Sequence, residues 1–300
     1  MQIPFSDTQM QEITRIARQE NVQAKLLEPN KGYLKFSVEK KNGSKRWIHA
    51  PHFIVKNAQR QVLANIPSPS LTQFSHEVIT GFIPGLSILD NARPHVMKKV
   101  VLSIDLKNFF PSFLSSEIHN LLGVRQGMRE AKTLVTTSAG RLPQGAPTSP
   151  MLANWAAYQG DKELIEFCTN HKIAYTRYAD DLTFSSVTDM DQDVVDDLID
   201  LINSGIFGKK VRVANNKIKF MRRHKQQRVT GIVVNEKLSI PRARRRQLRA
   251  FMHDCDTNGI EQALSRFNRN CNHIFGEFSF LHLAHKDQAE KYIEQFKELL

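Results

Sequence analysis

The chain has 300 residues, of which 41% are hydrophobic, so it can bury a large core in one big domain or two. Its 42 Lys and Arg against 30 Asp and Glu give a formal net charge of +12, which indicates a polyanionic partner, either nucleic acid or an anionic membrane. No apolar run reaches the roughly 18 residues that a membrane-spanning helix needs, and the first residues lack the form of a signal peptide. We therefore expect a cytoplasmic protein that binds nucleic acid and no membrane.

The N-terminal region predicts a helix, a β-hairpin and a second helix. Ser6 begins a capping pattern followed by apolar residues at helical spacing. Residues 33–40 alternate in polarity, a turn follows at Asn42-Gly43, and residues 46–50 return as the partner strand. Residues 53–66 then have an amphipathic helical pattern. Basic side chains near the hairpin tip either clamp phosphates or face solvent; they are Lys40, Lys41, Lys45 and Arg46.

A buried strand is predicted at residues 98–104, after a loop-rich passage at residues 81–95. The strand ends in Asp105, and Phe109 and Phe110 follow closely. An acidic side chain at a strand end beside aromatic residues is a good place for a metal ligand next to a pocket. The alternative is an aspartate that caps the following turn.

Helices at about residues 115–123 and 128–138 are predicted to lead into a loop rich in Gly and Pro at residues 140–150. Pro and Ser then favour the start of a long helix over residues 151–170. A Gly-rich backbone that carries Gln144 can approach a nucleotide or a template closely. A plain connecting loop is the alternative.

Residues 173–186, with the sequence IAYTRYADDLTFSS, predict two short strands joined by a tight turn. Asp180 and Asp181 stand at that turn. Adjacent carboxylates repel each other, and a nearby cation compensates this repulsion. A divalent metal ion is the usual such cation. Asp also favours turns, so an Asp-rich turn without a metal is the alternative.

The C-terminal half is strongly basic. A helix is predicted at residues 193–202, two basic strands near 211–213 and 218–221, and a further strand at 228–234. Residues beyond Pro241 have the pattern of three or four helices, and five arginines stand among the first eight of them, RARRRQLR. Such a face binds nucleic acid or is simply solvated. The order of elements predicts the α+β class.

Asp105 and Asp180 both follow β-forming residues. If their strands are neighbours in one antiparallel sheet, the two carboxylates meet at one edge, and a pair of Mg²⁺ ions about 4 Å apart becomes possible. Such a pair supports phosphoryl transfer, in which one ion activates a hydroxyl group and the other holds the triphosphate.

Three blocks in this order resemble the palm motifs of reverse transcriptases: Asp-x-x-x-Phe-Phe at 105–110, LPQGAPTSP at 142–150 and YADD at 178–181. Two more, NAxxH at 91–95 and VTG at 229–231, resemble blocks that mark bacterial retron reverse transcriptases. The resemblance implies a right-hand polymerase: an N-terminal helix and fingers in 1–97, a palm of antiparallel sheet and helices in 98–235 with fingers elements interleaved, and a helical, RNA-binding thumb in 236–300.

The resemblance also implies roles for single residues. Asp105, Asp180 and Asp181 would be catalytic and, with the backbone carbonyl of Leu106, would hold two Mg²⁺ ions, for which Mn²⁺ can substitute. Phe110 would be the steric gate that excludes ribonucleotides. The family tends to carry Asn-x-Lys-Lys-Thr where this chain has NNKIK, so either of two lysines could protonate pyrophosphate. The implied nucleotide-binding residues are Lys45, Arg46, Phe109, Phe110, Gln144, Gly145, Lys217 and Lys219.

A further set is implied to contact primer, template or RNA. Tyr178 would lie against the primer end, residues 229–234 would form the primer grip, and the arginines after Pro241 would follow phosphates along a thumb helix. The full set is Tyr178, Asn91, His95, Val229, Thr230, Gly231, Arg242, Arg244, Arg245, Arg246 and Arg249.

The function implied is that of a retron reverse transcriptase. It would use dNTPs to copy its cognate structured non-coding RNA, starting from the 2′-OH of a guanosine in that RNA. The product would be a branched RNA-linked DNA. The enzyme would act in anti-phage defence together with effector proteins. One rival is another prokaryotic reverse transcriptase, of the abortive-infection or diversity-generating type, which should lack a branched product. The other is a catalytically silent RNA-binding protein on the same fold.

Overall fold

The computed structural model describes residues 7–19, 32–40, 43–65, 78–121 and 140–300. Within these ranges, helices combine with strands that pair antiparallel throughout the named sheets, which confirms the α+β class. Across the same described ranges, no helix is both long and apolar enough to cross a membrane. Several predicted features lie outside the described residues: the cap at Ser6, the turn residues Lys41 and Asn42, and the helix at 128–138.

The N-terminal elements follow the predicted order. They are helix α1 (Asp7–Gln19), strands β1 (Tyr33–Glu39) and β2 (Lys45–Pro51), and helix α2 (Phe53–Asn65). The strands pair antiparallel from Tyr33 opposite Pro51 to Glu39 opposite Lys45. Gly43, with φ 77°, supplies the left-handed residue that the tight turn requires. Apolar residues of α1 and α2 then pack into the main core.

A five-stranded antiparallel sheet supports the predicted carboxylates. Its strands are β3 (Val100–Lys107), β4 (Ala174–Tyr178), β5 (Asp181–Ser186), β6 (Arg212–Val213) and β7 (Lys219–Arg222). The order is β4-β5-β3, and both β6 and β7 pair with β3. The predicted end of the first strand at Asp105 is wrong, because β3 continues to Lys107 and β6 supplies its partners there.

Helices cover the sheet and connect its strands. They are α3 (Ile88–Ala92), α4 (Phe109–Ser112), α5 (Ser115–Leu121), α6 (Ser149–Asn170) and α7 (Gln192–Asn203). Side chains alternate between the two faces of β3 because a strand has a period of two. Val100, Leu102 and Ile104 therefore pack into the main core, whereas Val101 belongs to a second core.

The second core lies under the C-terminal helices. Within the described segment 140–300, strands β8 (Arg228–Val229) and β9 (Ile232–Val233) precede four helices: α8 (Arg242–Asn258), α9 (Ile260–Arg266), α10 (Cys271–His282) and α11 (Lys286–Glu298). The prediction of one strand over 228–234 is wrong. Thr230 and Gly231 both have positive φ, 47° and 89°, so the chain reverses there in a two-residue hairpin turn.

Candidate active site

Two paired strands bring the predicted carboxylates to one edge of the sheet. The register of β3 and β5 places Asp105 directly opposite Asp181. Asp180 lies in the turn between β4 and β5, and its carbonyl oxygen accepts a hydrogen bond from the Leu106 N–H at 2.9 Å. We call residues 178–181 the acidic turn; Ala179 within it has φ 58°, a left-handed conformation that keeps the turn tight.

The carboxylates are partly withdrawn from water, and they repel one another. Burial, followed by the charge of Asp105, raises the pKa of Asp180 despite a hydrogen bond from its own backbone. Burial, followed by the charges of Asp180 and Asp105, raises the pKa of Asp181 to about 6. Positive charge nearby therefore stabilises the ionised forms of Asp180 and Asp181.

Lys217 provides such a charge. It ends a 3-10 turn (Asn215–Lys217), and its Nζ lies 2.6 Å from Oδ1 of Asp105. Lys219 instead begins β7, pairs with Ser103 and is exposed. The sequence leaves the choice between the two lysines open, and the structure places only Lys217 in contact with Asp105.

The oxygen donors at this edge fit a hard divalent cation. Carboxylate and carbonyl oxygens are the ligands that Mg²⁺ prefers, and the raised pKa values of Asp180 and Asp181 mean that added positive charge is stabilising here. Within the described part of the chain, no group of three or more His, Cys, Asp or Glu is arranged to hold a metal ion as it stands. At Asp105, the ammonium group of Lys217 supplies the positive charge.

A cavity of about 910 Å³ opens in front of the carboxylates, a volume typical of small-molecule sites. Asp105, Asp180 and Lys217 line it. The β1–β2 hairpin lines the same cavity and presents mostly cationic side chains, which suits a ligand that carries phosphates. The hairpin residues that line it are Lys35, Lys40, Ser44, Lys45, Arg46, Trp47 and His49.

The Gly- and Pro-rich loop joins the hairpin to the carboxylates. The carbonyl of Gln144 accepts a hydrogen bond from the His49 N–H at 2.8 Å, and the Gln144 side chain is half-buried at the cavity wall. Gly145 has φ 127°, and a Cβ there would lie 2.9 Å from the His49 carbonyl oxygen. Glycine is therefore required for the loop to lie against β2.

The aromatic pair after β3 has two different environments. Phe109 reaches the cavity wall but is only 2% exposed, and it packs edge-on against Phe113 with ring centroids 5.0 Å apart. Direct nucleotide binding by Phe109 does not fit this burial. Phe110 is half-buried, and its ring lies 5.6 Å from Phe109 and 6.1 Å from Phe82. Tyr178 is half-buried as well, 6.3 Å from Phe82.

A buried ion pair lies beneath the acidic turn. The side chains of Arg177 and Asp161 are 0% and 1% exposed, and two hydrogen bonds of 2.8 and 2.6 Å join them. Nη1 of Arg177 also donates to Oδ1 of Asn154 at 2.9 Å and to the Ala179 carbonyl at 3.3 Å. Burial alone would lower the pKa of Arg177, but the attraction of Asp161 outweighs it and raises that pKa. Helix α6 thus holds the acidic turn through one guanidinium group.

The loop before α3 braces the same turn. Nδ2 of Asn154 donates to the Gly81 carbonyl at 2.8 Å, and the Arg177 N–H donates to the Val78 carbonyl at 2.7 Å. A Cβ on Gly81 would lie 2.5 Å from the backbone nitrogen of Ala179. No side chain larger than hydrogen fits there unless the backbone moves, so the loop and the acidic turn are in direct contact.

Asn91 and His95 lie in the interior, and direct contact with RNA does not fit the structure. Both are 0% exposed. The His95 ring lies 2.7 Å from Oγ of Ser185 and 2.8 Å from Oγ1 of Thr176, and burial followed by the charge of Lys98 lowers the pKa of His95 to about 3. The short block around Asn91 and His95 therefore binds α3 and the adjoining 3-10 turn to the sheet.

The hairpin at 229–231 packs against the same region. Val229 is 1% exposed, so it does not reach a nucleic acid, contrary to the expectation. Oγ1 of Thr230 donates to the Ile88 carbonyl at 3.2 Å, which fixes the hairpin to the start of α3. Thr230 is half-buried and Gly231 is exposed, so these two form the accessible part of the block.

Four of the five predicted thumb arginines share one face of α8. Arg242, Arg245, Arg246 and Arg249 line a cavity of about 470 Å³ at helical spacing. Arg244 points elsewhere: it forms an ion pair with Glu277, and its guanidinium lies 3.9 Å from the centroid of Phe280, so it ties α8 to α10. RNA binding by Arg244 does not fit this arrangement.

Arg177 and Asp161, which were not predicted as site residues, nevertheless have signals in the sequence. Arg177 shares a strand face with buried Tyr175, two residues earlier. Asp161 stands among the buried residues Ala157, Leu164 and Cys168 of α6 at helical spacing. A buried acid on a helix and a buried base on a strand predict a pair. Phe82 carries no comparable signal.

The chain matches, over residues 38–234, the family described as reverse transcriptase (RNA-dependent DNA polymerase). It is 33% identical over 282 residues to the retron Mx65 reverse transcriptase of Myxococcus xanthus, covering 86% of this chain and 63% of that protein. It is 30% identical over 298 residues to the retron Ec83 reverse transcriptase of Escherichia coli, covering 90% of this chain and 91% of that one. A solved Candida albicans telomerase with a telomeric RNA fragment aligns with TM-score 0.45 and 10% identity, over 89% of this chain and 59% of its own. The chain spans about three fifths of the length of its Myxococcus relatives.

Proposed function

This chain belongs to the retron branch of the reverse transcriptase family, and we propose that it is an RNA-directed DNA polymerase that copies part of a structured non-coding RNA into DNA. The observation that carries the proposal is the position of Asp105, Asp180 and Asp181. They lie together at one sheet edge, and a cavity of about 910 Å³ is lined both by Asp105 and Asp180 and by a cationic hairpin. Negative and positive charge in one cavity suit a metal-bound triphosphate.

The reverse transcriptase family uses divalent metal ions, and we assign two Mg²⁺, with Mn²⁺ as a substitute, to Asp105, Asp180, Asp181 and the Leu106 carbonyl. Bound there, such ions activate the attacking hydroxyl group and neutralise charge on the triphosphate. Lys217, whose Nζ lies 2.6 Å from Asp105, would protonate the departing pyrophosphate. Lys219 on β7 pairs with Ser103, and Lys217 is the one of the two lysines in contact with Asp105.

Of the remaining proposed nucleotide contacts, Lys45, Arg46 and Gln144 line the cavity. Lys45 and Arg46 on the hairpin bind the triphosphate. Gln144 and Gly145 contact the incoming nucleotide or the template. Phe110 excludes the ribonucleotide 2′-OH, and Tyr178, next to the carboxylates, lies against the primer end.

We assign fingers to residues 1–97, palm to 98–235 and an RNA-binding thumb to 236–300. The second hydrophobic core supports a thumb built from the C-terminal helices. Residues outside those helices also belong to this core: Ala92, Val101, Val229, Ile232, Val234 and Ile240. The four-arginine face of α8, formed by Arg242, Arg245, Arg246 and Arg249, is the proposed phosphate contact. The partners are the cognate RNA, its DNA product, dNTPs and an effector protein of the same system.

The product we propose is a branched RNA-linked DNA, started from the 2′-OH of a guanosine, in anti-phage defence. The test is made on protein purified from its native locus. Bound nucleic acid is recovered after proteolysis and treated with RNase and with debranching enzyme. A small DNA whose mobility shifts on debranching supports the retron activity. Linear DNA indicates that this chain is a prokaryotic reverse transcriptase of another type. RNA without DNA indicates an RNA-binding protein that does not polymerise.

A further inference from the structure

Phe82 combines an unfavourable backbone conformation with an exposed ring. Its φ is 63°, in the left-handed region that bulky residues rarely occupy. Its side chain is 42% exposed, so burial of the ring does not explain why the conformation is maintained. Strained, exposed residues of this kind concentrate where a side chain must hold one position for function.

The surrounding contacts impose this conformation. Gly81, the preceding residue, lies so close to the acidic turn that a Cβ there would be 2.5 Å from the Ala179 nitrogen. Its carbonyl also accepts the 2.8 Å hydrogen bond from Asn154. The backbone at Gly81 is therefore fixed from two sides, and Phe82 is directed along the acidic turn.

The Phe82 ring lies between two residues with proposed roles. Its centroid is 6.1 Å from Phe110 and 6.3 Å from Tyr178, with tilted geometry in both pairs, and both distances fall within the range of attractive aromatic contacts. Phe110 has the buried Phe109 ring on one side at 5.6 Å. Phe82 provides an aromatic contact from outside the core.

From this arrangement we infer that Phe82 is a positioning residue for sugar selection, which holds the Phe110 ring in the place where it excludes a ribonucleotide. The inference rests on the proposed polymerase function, and it assigns Phe82 a part in it. Without the Phe82 ring, Phe110 loses one of the two aromatic neighbours that it has among the described residues, and it can rotate away from the sugar. Ribonucleotides then enter more readily, whereas deoxynucleotides, which do not meet the gate, are used as before.

The experiment measures kcat/KM for dTTP and for UTP on poly(rA) primed with oligo(dT), in Phe82→Ala, Phe82→Tyr and wild type. We expect Phe82→Ala to lower the dTTP-to-UTP ratio about 3- to 10-fold, through faster UTP use, with kcat for dTTP within about twofold of wild type. Phe82→Tyr keeps the ring and should restore the ratio. Met97→Ala is the matched control, since Met97 is also exposed, at 58%, and also has positive φ, 62°, at the opposite end of β3 from Asp105.

Phe110→Ala identifies the gate in the same assay. An unchanged ratio in Phe82→Ala, together with a lowered ratio in Phe110→Ala, overturns the inference and leaves the polymerase proposal intact. A lowered ratio in Met97→Ala equal to that in Phe82→Ala also overturns it, because the effect would then follow from backbone strain in general. If the wild type incorporates neither nucleotide, the proposed function fails, and this inference fails with it.

Discussion

Removing the carboxylate of Asp161 should destabilise this protein far more than an ordinary surface substitution does. In Asp161→Ala, the guanidinium of Arg177 stays in the interior with 0% exposure but loses two of its hydrogen bonds, of 2.8 and 2.6 Å. Tyr175 loses its 2.8 Å acceptor at the same time. Breaking a buried ion pair from one side costs about 3–5 kcal/mol, because the remaining charge is left without compensation.

Urea denaturation followed by circular dichroism measures this cost. At about 4 kcal/mol, the loss is a large fraction of the roughly 5–15 kcal/mol by which most domains are stable, so the midpoint should fall clearly with an unchanged slope. Asp189→Ala is the matched control, since Asp189 also makes two ion pairs, with Lys99 and Arg222, but at 46% exposure. Screened surface pairs contribute little, and the midpoint of this variant should barely move.

The double variant Asp161→Leu with Arg177→Met distinguishes the effect of an unpaired buried charge on stability from the effect of the lost hydrogen bonds. Because it leaves no unpaired charge, it should recover a large part of the stability lost in Asp161→Ala. Its primer extension should nevertheless be slower than that of wild type, since the Ala179 carbonyl loses its donor. The reasoning is refuted if Asp161→Ala unfolds at the same urea concentration as Asp189→Ala, or if the double variant is less stable than the single one.

Three further predictions concern charged groups elsewhere. His95 has a pKa of about 3 in the folded state against 6.5 in the unfolded state, so between these values only the unfolded state binds the proton. The free energy of unfolding should therefore fall as the pH is lowered from 6.5 towards 3, by about 2 kcal/mol at pH 5. His95→Gln should flatten this pH dependence in urea titrations. Lys217→Ala should lower the steady-state kcat for dTTP roughly 100-fold, whereas equal losses in Lys219→Ala would reject the assignment. Arg245→Ala should weaken binding of an RNA hairpin, and the slope of log affinity against log salt concentration should decrease by about one. Arg244→Ala should keep that slope but lower the thermal stability. The reverse pattern would contradict the structure.

Local patterns were sufficient to predict the elements that form the site. The alternating residues around Asp180 and Asp181 form two strands with a tight turn, and the run before Asp105 forms their neighbour. Alternation and turn residues act over a few positions, so they can be recognised in one sequence. The order of motifs then identified the family, which the match over residues 38–234 bears out.

Contacts between distant segments could not be predicted in the same way. The sequence patterns place Arg177 and Asp161 on apolar faces, but they do not show that β4 lies against α6. Asn91 and His95 belong to short blocks that suggested RNA contact, yet both are interior, because Thr80, Thr176 and Ser185 supply partners from other elements. Gly81, next to Phe82 with its positive φ, approaches the acidic turn closely, which is likewise a tertiary contact.

Primer extension on poly(rA) with oligo(dT), dTTP and Mg²⁺ measures whether the acidic turn catalyses DNA synthesis, with Asp180→Asn beside wild type. Asp180 lies in the acidic turn next to Asp105 and Asp181, and its replacement keeps size while removing the charge that would bind cations. We expect wild type and the surface control Asp189→Asn to extend the primer, and Asp180→Asn to do so at least about 100-fold more slowly. Near-normal extension by Asp180→Asn, or none by wild type, would contradict it.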